Sequence, residues 1–254
     1  LISTLVIGLS AANGQQIWSL STDDHIRHLP ISDSIGRLYF DFDAVAFKNK
    51  LTEFEGIKFS AEKDHLQIVL PNELGREEIF ELEKVSVLSK SLQVKFPKIR
   101  TYVGKSIERP DVRIRLSYTP MGINAWMRLP DGENRFLQPL KPKKNHYISY
   151  VSTPAKELDG FICNTPTKNN WKDQKLSTID QKSFRKPNSG IIKTYRLAIS
   201  TTGGYTSFWG DDDPSNGTNK EDAYAAVVST INRVNEVFET ELGIHLELVS
   251  GLDL

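Results

Sequence analysis

The chain has 254 residues and a formal net charge of +0 at pH 7, so its charge implies no polyanionic partner such as a nucleic acid. Hydrophobic residues make up 39% of the sequence, which suffices for one large or two smaller folded domains and excludes collagen, coiled coil and wholesale disorder. A cysteine count of 1 excludes an intrachain disulfide framework.

Residues 1–14 combine an apolar run with small residues at its end. Ala12 and Gly14 fit a signal-peptidase site, which would leave Gln15 as the mature N-terminus. The run is too short to span a bilayer by itself. We therefore predict a signal-peptide remnant over residues 1–14 and a secreted, extracellular protein; the alternative is a buried N-terminal strand.

Residues 15–151 are predicted to form an antiparallel β-rich domain. After a short helix predicted at residues 44–54, apolar and polar residues alternate from Ile57 onward, through the run at residues 92–104 and up to Val151. Turn sequences such as residues 119–122 separate the short strands. Many short strands and few helices are typical of a single antiparallel β architecture.

Residues 152–190 are polar and rich in lysine, and they include three prolines without any sustained period. This composition predicts an exposed linker that an activating protease could cut, with basic cleavage points at residues 182–186. A plain surface tether is the alternative.

Residues 191–254 read as strand, loop, long helix and strand. Thr218 and Glu221 have the spacing of a capping box, and Gly243 supplies a left-handed stop, which bounds a helix over residues 219–242. The strands at residues 191–200 and 244–248 should pair in parallel across this helix. One stripe of the helix is apolar: Ala223, Val227, Ile231, Val234, Phe238 and Leu242.

Two runs in this last part, residues 194–206 and 225–239, resemble the start of the catalytic domain of the reprolysin-like (adamalysin-like) metzincins in their bacterial secreted form. The pattern Arg-Val-Asn-x-Val-Phe-Glu at residues 233–239 is the fairly specific portion of this resemblance. Residues 95–105 and 113–122 resemble the propeptides that precede these proteases. The resemblance implies a zinc-dependent endopeptidase precursor.

The resemblance also implies a fold class and a domain order. The expected class is α+β, with the β-rich antiparallel prodomain at 15–151 followed, at 191–254, by the first β-α-β unit of an α/β metzincin catalytic domain. The partners implied are a protein or peptide substrate and an activating protease at the linker, with no nucleic acid and no membrane span.

In this family a His-Glu-x-x-His helix with a third His holds the zinc, and its Glu activates the bound water. No His in this sequence is followed by Glu, so the chain contains no residue of that catalytic motif. The expectation is an inactive N-terminal fragment whose zinc site lies beyond Leu254.

Cys163, the single cysteine, lies in the predicted linker. Proteases of this class are often silenced by a prodomain thiolate that takes the position of the zinc-bound water. Cys163 is the candidate for this cysteine switch, although Asn164 stands where animal relatives have Gly. A buried apolar cysteine and an unused surface thiol are the alternatives.

Histidines elsewhere are weaker candidates. His25 and His28 would share a helix face, but a solvated segment is the simpler interpretation than a metal pair. His245 and Glu247 share one side of a strand, which we interpret as a solvated face.

Two loop features complete the candidates. Asp211–Asp213 could bind calcium, but a solvated acidic loop is favoured, and Arg196 on the first strand of this part argues against the calcium site of animal relatives. Asn216 begins a glycosylation acceptor sequence that also occurs in ordinary turns.

The residues by themselves leave a second function open, which is a non-enzymatic secreted β-rich module for binding or adhesion. The coding sequence after Leu254 separates the two hypotheses, because only the protease requires a His-Glu-x-x-His there.

Overall fold

The computed structural model describes residues 16–23, 34–49, 65–140, 145–152, 191–215 and 217–249. Residues 44–49 are helical, and the remaining elements in chain order are β1 (Trp18–Leu20), β2 (Ser34–Phe42), β3 (His65–Pro71), β4 (Glu77–Lys84), α1 (Lys90–Lys95), β5 (Arg100–Ser106), β6 (Arg113–Thr119), β7 (Gly122–Arg128), β8 (Asn134–Pro139), β9 (His146–Ser152), β10 (Lys193–Leu197), α2 (Gly203–Trp209), α3 (Asn219–Leu242) and β11 (Ile244–Leu248).

The first nine strands form one antiparallel sheet, hereafter the large sheet, in the order β1-β2-β9-β8-β7-β6-β5-β4-β3. The sheet curls, so that its two edges approach each other. The indole Nε1 of Trp18 in β1 donates to the carbonyl of Val69 in β3 at 2.8 Å, and Glu77 accepts from the backbone N–H of Trp18 at 2.9 Å. This contact between opposite edge strands protects edges that would otherwise expose unpaired backbone groups.

The main core lies on the inner face of this curl. Leu116, Ala125 and Leu137 are paired across β6, β7 and β8, so they share one face, and all three are buried. An aromatic group closes the core near β1: the ring of Trp18 lies 4.5 Å from Phe42 and 4.9 Å from Tyr147. The inner face therefore has the alternating apolar pattern that the sequence predicts for a half-buried antiparallel sheet.

The opposite, outer face of the large sheet carries helix α3. Arg115 pairs with Trp126 and Trp126 with Phe136, so these three side chains lie on the outer face, where α3 crosses β6. Asn232 of α3 donates to the backbone carbonyl of Leu116 at 3.0 Å. The helix thus packs on the large sheet as well as on its own flanking strands.

β10 and β11 form a separate two-stranded parallel sheet. It joins the large sheet through residues 87–89, because Leu248 donates its N–H to the carbonyl of Val87 at 2.7 Å and accepts from the N–H of Ser89 at 3.0 Å. The parallel pairing of these two strands, predicted from the sequence, is confirmed.

The predicted fold class, α+β with the first β-α-β unit of an α/β metzincin catalytic domain, is wrong. Nine strands of the described residues belong to one curled antiparallel sheet and few residues are helical, so the architecture is β-rich. The physical reason is the placement of α3. Because this helix packs against the outer face of the large sheet, β10, α3 and β11 do not build a separate α/β layer.

Local predictions fared unevenly. The helix over residues 219–242 and the hairpin with its turn at residues 119–122 are confirmed. Part of the strand predicted at residues 92–104 is wrong, because Lys90–Lys95 is helix α1, whose Leu92 packs under α3. The loop predicted between the strand at residues 191–200 and the helix at residues 219–242 is wrong in part, because Thr202 caps the short helix α2 by accepting from the N–H of Tyr205.

Candidate functional site

The candidate site is the interface between helix α3 and the outer face of the large sheet. The ends of α3 are fixed by its own sequence. The Thr218 hydroxyl accepts from the N–H of Glu221 at 3.3 Å, and Glu221 accepts from the N–H of Thr218 at 2.8 Å. Gly243 ends the helix with φ 66°, a left-handed conformation that glycine adopts without strain. These caps set which residues of α3 face the sheet.

An apolar contact holds the N-terminal half of α3. The rings of Phe96 and Tyr224 lie 4.8 Å apart, and α1 and the segment before it pack under the helix. The buried members of this cluster are Val87, Leu88, Leu92, Phe96, Ile99, Tyr224, Ala225, Val227, Val228, Ile231 and Leu248. Burial of such side chains supplies the non-directional part of the attachment, about 1.5–3 kcal/mol for each large one that is fully buried.

A buried charge cluster holds the C-terminal half. Arg115, 2% exposed, donates through Nε to Oε2 of Glu236 at 2.8 Å and through Nη2 to Oε2 of Glu239. Glu236 is 3% exposed, and its other carboxylate oxygen lies 2.8 Å from Nη2 of the half-exposed Arg113. A buried carboxylate is stable only when it is paired, so these contacts fix the position of α3 on β6.

Glu239 extends the cluster to the small sheet. Its Oε1 lies 2.6 Å from Nδ1 of His245 in β11, and Nε2 of His245 lies 3.2 Å from the carbonyl of Ser86. Burial alone would raise the pKa of the Glu239 carboxyl. The hydrogen bond with His245 and the charge of Arg115 outweigh burial, so the pKa of Glu239 lies below its usual value.

Two asparagines of α3 complete the attachment with backbone contacts. Asn232 donates to the carbonyl of Leu116 and to the hydroxyl of Ser117 at 3.1 Å, on β6. Asn235 donates to the carbonyl of Leu246 at 3.0 Å and accepts from its N–H at 2.8 Å, on β11. The helix is therefore attached to both sheets by side chains that satisfy backbone groups.

The ion pairs of this interface were not predicted from the sequence. Arg113 and Arg115 alternate with apolar residues in β6, a pattern that is typical of a strand whose polar side faces solvent. Their partner Glu236 lies 121 residues from Arg115, and no local pattern links the two positions. The solvated face predicted for His245 and Glu247 is wrong for His245, because its ring is 13% exposed and bonds Glu239.

Most residues predicted to carry function lie elsewhere. Cys163, His25, His28 and Asn216 are outside the described residues, as are the predicted signal peptide and residues 153–190 of the predicted linker. Asp211 and Asp212 are exposed, and their loop contains hydrogen bonds such as that from the N–H of Asp213 to Asp211 at 2.9 Å.

The part of the chain that the structure describes contains no set of residues that fits a zinc site. Within the described ranges no group of three His, Cys, Asp or Glu side chains is arranged to hold a metal ion. No helix in that part of the chain is both long and apolar enough to cross a membrane. The sequence matches no protein-family model and no curated protein.

Proposed function

We propose that this chain is the N-terminal portion of a secreted zinc-dependent metalloendopeptidase precursor, in which the large sheet acts as an inhibitory, chaperone-like prodomain. The resemblance of residues 95–105 and 113–122 to propeptides, and of residues 194–206 and 225–239 to reprolysin-like proteases, supports this assignment. In this proposal the substrate is a protein or peptide, and an activating protease cuts the linker at residues 152–190.

The observation that carries the proposal is the charge cluster of Arg115, Glu236 and Glu239. Glu239 is part of the Arg-Val-Asn-x-Val-Phe-Glu pattern at residues 233–239, the fairly specific portion of the resemblance to the protease family, and Glu236 stands at its unspecified position. The prodomain-like sheet thus holds the protease-like helix through buried ion pairs, which would be lost if the two separated and their charges returned to water. A prodomain that assists folding must bind the segment that it helps to fold, and these ion pairs supply such a contact.

The zinc chemistry lies outside the described residues. In this family zinc polarises a bound water for attack on a peptide carbonyl, and no residue described here is assigned a step of that reaction. We propose Cys163 as the inhibitory thiolate of the precursor and place the zinc-binding residues after Leu254 in the precursor sequence.

A second candidate function is a non-enzymatic secreted β-rich binding module. One observation favours it: a cavity of about 710 Å³ lies between α3 and the large sheet, and its size is typical of small-molecule sites. This function requires no downstream metal motif.

The test begins with the coding sequence after the codon for Leu254, where a His-Glu-x-x-His motif is expected. The precursor encoded there should cleave a casein substrate only after linker cleavage, and a zinc chelator should abolish the activity. Cys163→Ala should give activity before linker cleavage, whereas Ser152→Ala should not. A zinc-loaded, linker-cleaved precursor without peptidase activity would sink the proposal.

A further inference from the structure

The cavity between α3 and the large sheet has two differently built walls. Its volume is about 710 Å³. One wall is apolar and aromatic, with side chains such as Phe42, Phe47 and Tyr147. The other wall is the face of α3 that carries Ser229 and Arg233. A mostly apolar cleft with a few convergent polar groups is the usual form of a small-molecule site.

Arg233 lacks a carboxylate partner among the described residues. Its Nη2 lies 3.5 Å from Oδ1 of Asn124, which is the limit of a hydrogen bond, and its guanidinium lies 5.1 Å above the ring of Phe136. Burial lowers the pKa of Arg233, because its charged form has lost hydration. A guanidinium has five donors, so most of its hydrogen-bonding capacity remains for a ligand.

Ser229 is a second polar residue that lines the cavity. Its side chain is 6% exposed, and its hydroxyl has no hydrogen-bond partner within the described part of the chain. Ser229 precedes Arg233 by four residues, so the two side chains lie on one face of α3, one turn apart. A buried hydroxyl left unbonded costs about 1–3 kcal/mol, and an acceptor in the cavity would remove that cost.

The charge of the surroundings selects the kind of anion. Arg233 and Lys48 are the cationic side chains among the described residues that line the cavity, whereas Asp211, Asp212 and Asp213 line it on the anionic side. A carboxylate carries a single charge, so it meets about half the repulsion from these aspartates that a phosphate dianion would meet, and it fits the planar guanidinium in a bidentate manner.

We infer that this cavity binds a small organic monocarboxylate, with its carboxylate bonded to the Arg233 guanidinium and the Ser229 hydroxyl and its apolar body against Phe42, Phe47 and Tyr147. The site draws its walls from both the large sheet and α3, so the ligand would stabilise their association. The inference requires neither zinc nor peptidase activity.

Titration calorimetry of the 254-residue chain with 3-phenylpropionate at pH 7 tests this inference. The carboxylate should bind saturably, and its neutral amide, 3-phenylpropionamide, should bind at least about tenfold more weakly, since one charge-assisted hydrogen bond is worth that factor. Arg233→Gln should abolish the preference for the acid over the amide, and Ser229→Ala should reduce acid affinity severalfold.

The control variant is Arg196→Gln, which removes an exposed arginine of β10 and should leave the acid preference unchanged. If Arg233→Gln does not fold, the inference is still tested by the acid–amide comparison on the native chain and by the titration of Ser229→Ala. Equal affinities for acid and amide, or no saturable binding of the acid up to about 10 mM, would overturn the inference.

Discussion

At the scale of single residues, Arg115 is the side chain on which the position of α3 most depends. It is almost fully buried and bonds two carboxylates from the helix, Glu236 and Glu239. Removing one partner of a buried ion pair leaves an uncompensated charge, whereas a surface pair contributes little. Arg113 also bonds Glu236, but its side chain is half-exposed. Loss of Arg113 should therefore destabilise the fold less than loss of Arg115.

Arg115→Met should lower the free energy of unfolding by about 3–5 kcal/mol, measured by urea denaturation. Arg113→Met is the matched control, because the Arg113 side chain is 45% exposed, and it should cost about 1 kcal/mol or less. Equal costs for the two variants would show that the cluster does not fix the helix.

Glu239 gives the interface a pH dependence. Its pKa is lower in the folded chain than the ordinary value of 4.5, so its contribution to stability is complete above that value and is lost as the pH falls through the folded pKa. We expect Glu239→Gln to lose less stability than the native chain when the pH is lowered from 5 to about 3. The control Glu241→Gln alters an exposed carboxyl of the same helix and should leave the native acid profile unchanged.

At the scale of elements, β4 and β5 come unusually close at Gly104. A Cβ built on Gly104 would lie 2.1 Å from the backbone oxygen of Glu81 and 2.7 Å from a methyl carbon of Leu82. Since backbone atoms cannot move aside cheaply, Gly104→Ala should cost about 1–3 kcal/mol in urea denaturation. Gly203→Ala is the control, because open space surrounds that position in α2. The free energy of unfolding of this variant should be unchanged or slightly raised. A neutral Gly104→Ala would contradict the close approach.

Elements with a strong local pattern could be predicted from the sequence, and elements set by distant contacts could not. The capping box at Thr218 and the stop at Gly243 gave α3 its correct bounds, because both are local hydrogen-bonding devices. The alternating residues from position 92 onward predict a strand, but Lys90–Lys95 forms helix α1. This helix buries Leu92 against α3, a contact that is distant in sequence and that the local pattern does not contain. The apolar stripe of α3 was overextended, because Leu242 at its end is 54% exposed.

The candidate site needed the tertiary structure. Buried carboxylates in an amphipathic helix look like ordinary polar positions until the arginine that meets them is known, and Arg115 is far away in sequence. The same holds for Arg233, because only the folded structure shows that it lines a cavity and has no carboxylate partner among the described residues. Local propensity carries no information on either pairing.

At the scale of the whole molecule, the β-rich fold makes the last part of the chain dependent on the first. Two parallel strands cannot cover the residues of α3 that the large sheet buries, such as Asn232 and Glu236, nor can they protect their own edges. Residues 191–254 produced alone should therefore aggregate or give poorly dispersed amide spectra.

Co-expression of residues 191–254 with residues 15–152 as a second polypeptide should restore a soluble complex that elutes as one species in gel filtration. The apolar cluster under α3 and the Arg115 ion pairs connect the two pieces without the linker, so a covalent bond is not required. Arg115→Met in the first polypeptide should reduce the yield of complex, whereas Arg113→Met should not, because only Arg115 is fully buried in the contact. Well-dispersed spectra from residues 191–254 alone would mean that the helix needs no support from the sheet.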